Sequence, residues 1–173
     1  PWTWAMAALV GLGVSLVLLV EVEGPARVPA AAELTRVHEA TWEEVGEEDP
    51  NAPVLRPSPG DQVKPGWLNL TEGFAELSFY QGAKIILQAP VRARVLDDRT
   101  LYLKRGKLTA RTGNAASGFT VKTARMRIVD QSTAFSSEVD RAGQTQVTAL
   151  EGRIRVSPSG SGGNRDQPYG TDS

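Results

Sequence analysis

The chain has 173 residues, with 19 Lys plus Arg against 20 Asp plus Glu, and this near-neutral balance argues against a polybasic nucleic-acid binder. It contains no cysteine and one histidine, which excludes disulfide frameworks, thiolate zinc sites, iron–sulfur clusters, cysteine nucleophiles and imidazole metal clusters. Seventeen Gly and eleven Pro describe a turn-rich chain and disfavour a large helical bundle.

Residues 1–22 read as one transmembrane α-helix. The run from Trp2 to Val20 has no charged residue and, as a helix, rises about 28 Å, close to the ~30 Å hydrocarbon core of a bilayer. Its nine Leu and Val favour insertion by about 4 kcal/mol. Trp2 and Trp4 sit where amphipathic rings settle at the membrane interface, and Glu21 and Glu23 mark the other exit. A cleaved signal peptide, cut near Gly24–Ala26 or Ala30–Ala32, is the competing reading, and a buried soluble helix the third. The apolar run is longer than a typical signal-peptide core, which favours the retained anchor. Residues 21–40 hold two basic residues, Arg27 and Arg36, and this poverty in positive charge fits the non-cytoplasmic side.

Residues 23–31 form a Pro- and Ala-rich tether, residues 32–156 one domain, and residues 157–173 a Gly/Ser/Pro-rich linker without apolar periodicity. The domain's signals are those of strands. Residues 31–45 suit an opening strand about as well as a helix. Residues 73–79 and 83–87 read as two strands joined at Gln81-Gly82. Residues 91–95 alternate strictly, Asp97-Asp98 turns the chain, residues 100–103 resume the pattern, and Arg105-Gly106 turns it again before 107–110. Short candidates follow at 119–123, 126–130, 135–139, 146–150 and 153–156. About ten to twelve strands predict an all-β sandwich or a short β-solenoid.

In order, GDQVKPGWLNLTEGFAELSFYQGAKIILQAP, LYLKRGKLTAR, GFTVKTARMRIVDQSTAFSSEVD and TQVTALEGRIRV resemble the FecR domain, a periplasmic sensor module of membrane regulators paired with extracytoplasmic-function sigma factors. The resemblance covers about 60–156, with residues 32–44 as its opening strand. It marks Gly73, Gly82, Gly106, Phe119, Thr133, Phe135 and Gly152 as structural positions, and each of these glycines is expected to end a strand in a turn. The family's central motif carries Gly where Ser132 stands, between Gln131 and Thr133, which implies a different local turn here. The resemblance implies a solenoid-like module and a single-pass bacterial inner-membrane protein with its β domain in the periplasm. A cytoplasmic segment would contact a sigma factor, and the outer domain an envelope protein.

Between Lys84 and Arg127 there are eleven basic and two acidic residues, +9 against −10 for the rest of the chain. Arg92/Arg94 and Arg125/Arg127 recur at period two, so each pair is expected on one strand face, as a candidate surface for a partner or a polyanion such as an acidic glycan. Solvated outer faces that discourage edge pairing account for the same residues. The acidic run Glu43, Glu44, Glu47, Glu48 and Asp49 lacks calcium-loop spacing and reads as a solvated turn, or as an intramolecular partner of the basic strip. His38, beside Glu39 and Arg36, forms no recognisable triad, Asp97-Asp98 shapes a turn, and Asn69-Leu70-Thr71 is a chance sequon. The expectation is a non-enzymatic sensor or regulatory module with no catalytic, metal or cofactor site and no nucleic-acid partner. The alternative is an envelope scaffold or glycan-binding surface protein carrying a further C-terminal module.

Overall fold

The computed structural model of the chain describes residues 28–44, 52–113, 118–131 and 134–159. The expected membrane span with Trp2 and Trp4, most of the tether, Glu47 to Asp49, Ser132, Thr133 and the linker from residue 160 lie outside the described residues. Among the described residues no helix is long and apolar enough to cross a membrane.

The regular elements are strands: β1 (Ala32–Trp42), β2 (Val54–Leu55), β3 (Gln62–Val63), β4 (Gly66–Phe79), β5 (Lys84–Val95), β6 (Thr100–Arg111), β7 (Thr120–Lys122), β8 (Met126–Asp130), β9 (Ala134–Val139), β10 (Thr145–Glu151) and β11 (Ile154–Pro158). They form one sheet in the order β11-β8-β7-β6-β5-β4-β1-β3, with β2 beside β4, β9 beside β6, and β10 beside β9. Among the described residues only β2–β4 and β6–β7 pair in parallel. A solenoid stacks its coils in parallel, so this open, mostly antiparallel all-β sheet departs from the solenoid that the resemblance implies. Residues 31–45, open to either reading, supply strand β1.

β4, β5 and β6 are each 12 to 14 residues long, and each is irregular at its middle. On β4 the pairing with β5 shifts between Leu70 and Phe74; on β5 and β6 it shifts between Gln88 and Arg92, where Ala89, Pro90 and Val91 stand against Gly106 alone. These irregularities align across three neighbouring strands and crease the sheet. A straight strand the length of β5 would hold its ends about 40 Å apart. Instead the turns at its two ends touch: Gln81 Nε2 donates to Asp98 Oδ2 at 2.7 Å, and Arg99 Nη2 donates to Gln81 Oε1 at 3.0 Å. The sheet is therefore folded back on itself, with both layers belonging to the same strands.

Two glycines make the crease possible. Gly73 has φ +77, and a Cβ there would stand 2.1 Å from the His38 carbonyl oxygen; Gly106 has φ +95, and a Cβ would stand 2.3 Å from that of Pro90. Neither ends a strand, contrary to expectation. Both lie inside one, because a positive-φ residue without a side chain serves a bulge as well as a turn. Gly82 and Gly152 do sit in turns, at φ 96 and 75.

The crease also resets the apolar phase. On β4 the residues of the core cluster are Leu68 and Leu70, then Ala75, Leu77 and Phe79; on β6 they are Leu101 and Leu103, then Leu108 and Ala110. On these two strands the irregularity returns the apolar side chains to the inner face, where a continuing period of two would have sent them to solvent, whereas β5 keeps one phase through Ile85, Leu87, Val91, Ala93 and Val95. One hydrophobic cluster results, joining Leu34, Ile85 and Phe135 to Val91, Val121 and Ile128. Phe79, at the end of β4, meets Phe119, just before β7, edge to face with centroids 4.8 Å apart. Such a pair adds about 0.5–1.5 kcal/mol beyond its burial.

Candidate binding surface

Directly opposed residues in a ladder project to the same face. Register places Trp67 opposite Arg94, Arg94 opposite Tyr102, Tyr102 opposite Lys122, and Lys122 opposite Arg127, one row across β4, β5, β6, β7 and β8. Beside it runs a second row, Asn69, Arg92 and Arg105. The strand neighbours Leu68, Leu70, Ala93, Leu103, Val121 and Ile128 are buried in the core, so the rows occupy the outer face of one layer.

Trp67 is 8% exposed, with the guanidinium of Arg92 4.9 Å and that of Arg94 5.7 Å from its ring centroid. Cation–π contacts of this kind contribute about 0.5–2 kcal/mol each, more as water is excluded. Tyr102 stands edge-on to the same indole at 6.1 Å. Burial holds the Arg92 pKa below its ordinary value, and the positive charge of Arg105 opposite pushes the same way. Lys122 and Arg127 likewise face one another as like charges. The Trp67 indole N–H is buried without an acceptor among the described residues. Facing like charges and an unsatisfied donor both destabilise a fold, and they coincide on this face.

Of the four arginines singled out in the sequence, Arg92, Arg94 and Arg127 share this surface. Arg125 does not continue the alternation: it lies in the turn between β7 and β8, where its carbonyl accepts the Ser159 N–H at 2.8 Å. Trp67 and Tyr102, which organise the cations, escaped the sequence reading. Residues 66–70 are all buried, so no alternation there signals which side chain faces outward. Phe119 and Phe135 are core residues.

The remaining candidates have structural partners. Asp97 Oδ1 accepts the Arg99 N–H at 2.8 Å and, with the Gln81–Asp98 bond, fixes the turn after β5. His38 lies exposed on β1 opposite Phe74. Asn69 is 8% exposed within β4, so its sequon is closed to modification in the folded chain. In the acidic run Glu44 pairs with Arg56 at 2.7 Å, a residue outside the basic rows. Among the described residues no three His, Asp or Glu side chains gather as a metal site.

Residues 71–155 match the family model described as FecR protein. The match begins inside β4, takes in β5 to β10 and ends within β11, so it contains both crease glycines, Gly73 and Gly106. No curated protein and no solved structure matches the chain.

Proposed function

Because the chain carries a FecR-family domain, we propose that it is a non-enzymatic sensor or regulatory module of a bacterial envelope, anchored in the inner membrane by residues 1–22 with its β domain in the periplasm. The family match carries this reading, and the uncharged run from Trp2 to Val20 supports the anchor. A partner binds the folded sheet and shifts the populations of its orientations or its exposure to proteolysis. The span passes that shift inward to a sigma factor through protein–protein contacts. A signal so relayed needs differential binding to two states of the domain and no chemical step.

The test is fractionation of bacteria expressing the protein, followed by protease treatment of spheroplasts and cross-linking. The protein should sediment with membranes, resist carbonate and dissolve in detergent. Its β domain should be cut by protease added outside, and a sigma factor should be captured with it. Recovery in the soluble fraction, or a β domain protected from external protease, overturns the topology; capture of no sigma factor overturns the relay.

A further inference from the structure

Between the outer face of β6 and the tip of the β9–β10 hairpin lies a groove of about 410 Å³. Among the described residues four cationic side chains line it, Arg92, Lys104, Arg105 and Arg141, against one carboxylate, Asp140, with Tyr102 as its aromatic wall. The crease builds it. Lys104 is the extra residue on β6 between the Arg92–Arg105 and Ala93–Leu103 pairs, so Lys104 and Arg105 both join Tyr102 on the groove side while Leu103 stays in the core. Arg141 enters from the hairpin turn, which is held by Asp140: its Oδ1 accepts the Gln144 N–H at 2.8 Å and its carbonyl accepts that of Gly143 at 3.1 Å. Asp140 is thus engaged in shaping the turn.

We propose that this groove binds an acidic saccharide, a short oligomer whose sugar units carry carboxylates. Its volume falls within the usual range for small-ligand sites, roughly 300–1,000 Å³. A carboxylate placed between Arg92 and Arg105 would relieve the repulsion of two guanidinium groups that the ladder sets face to face, and the planar fork of arginine matches a carboxylate in two parallel bonds. Burial and the charge of Arg105 both disfavour the cationic form of Arg92, a cost that an incoming anion offsets. Tyr102, fixed edge-on by Trp67, gives a sugar ring a flat surface in a set position. The choice of saccharide over acidic peptide follows from the lining: among the described residues its only aliphatic side chains are those of Ala124 and Ala142, too small to form a pocket for the apolar anchor that fixes most peptide interfaces. The inference is independent of the sigma-factor relay and stands if that relay fails.

The experiment is calorimetric titration of the full chain in non-ionic detergent with a galacturonate tetramer, at about 50 mM salt so that screening stays weak. The methyl-esterified tetramer, tetraglutamate and inorganic phosphate are titrated in parallel. The acid tetramer should bind, and the ester should bind at least about tenfold more weakly. Joint replacement Arg92→Gln and Arg105→Gln should weaken the acid tetramer by about tenfold or more while the chain keeps its folded circular-dichroism spectrum. Arg36→Gln, which removes the same charge from β1, should leave binding within about twofold. No binding of the tetramer, equal binding of the ester, or full affinity in the double variant overturns the proposal. Equal affinity for tetraglutamate reassigns the groove to acidic peptides, and equal affinity for phosphate reduces it to a simple anion site; either result overturns the saccharide.

Discussion

Replacing Gly106 with alanine tests the crease directly. At φ +95 an L-residue is strained by about 1–2 kcal/mol. The new Cβ would also stand 2.3 Å from the Pro90 carbonyl oxygen and 2.6 Å from the Val91 Cα. Both are backbone atoms of β5, so no rotamer change relieves the contact; β5 and β6 must move apart, which overpacking data place at about 1–3 kcal/mol. The expected loss is about 3 kcal/mol, which at roughly 2 kcal/mol per molar lowers a urea midpoint by about 1.5 M. Two other glycines separate the contributions. Gly60 has φ +89 but open space around its Cβ position, so Gly60→Ala should cost only the conformational part, about 1–2 kcal/mol. Gly113 has neither positive φ nor a neighbour within 4 Å, and Gly113→Ala should stay within about 0.5 kcal/mol. If equilibrium urea unfolding shows Gly106→Ala no worse than Gly60→Ala, the close approach of the two strands, and with it the folded-over sheet, is refuted.

Thr123 is 3% exposed; its hydroxyl accepts the Met126 N–H at 3.0 Å and lies 2.9 Å from the Thr145 hydroxyl, so it joins the β7–β8 turn to β10. Thr123→Val keeps the shape, strands those partners and should cost about 2 kcal/mol in urea unfolding, with a change below about 0.5 kcal/mol counting against the link. Phe135→Ala empties a fully buried site in the joint cluster and should cost about 3–5 kcal/mol, read as a lower thermal midpoint. Glu44→Gln breaks an ion pair whose side chains are 52% and 77% exposed, and stability at low salt should move by less than about 0.5 kcal/mol; a larger loss would mean that the pair is shielded from solvent.

Much of the sheet was legible because alternation is local. The hairpin turns at Gln81-Gly82 and Asp97-Asp98 and the strands from residue 119 onward follow from neighbours within a few residues of one another. The crease was not legible. Gly73 and Gly106 carry the signature of a turn, and telling a bulge from a chain reversal requires knowing what lies across the ladder: Glu39 for the first, Pro90 and Val91 for the second. The candidate surface was half legible for the same reason. Charge density marked residues 84–127 as basic and period two paired Arg92 with Arg94, but their meeting with Trp67, Tyr102 and Arg105 depends on strand register.

The sequence by itself determined an all-β domain, the outward face of Arg92 and Arg94, and a chain without thiolate or clustered-imidazole chemistry, because each rests on composition or on a two-residue period. Only the tertiary structure decided that three long strands fold over together. Only it decided that Arg105, Lys104 and Arg141 converge on one groove, since pairing register and hairpin placement are set by a core assembled from residues far apart in the chain.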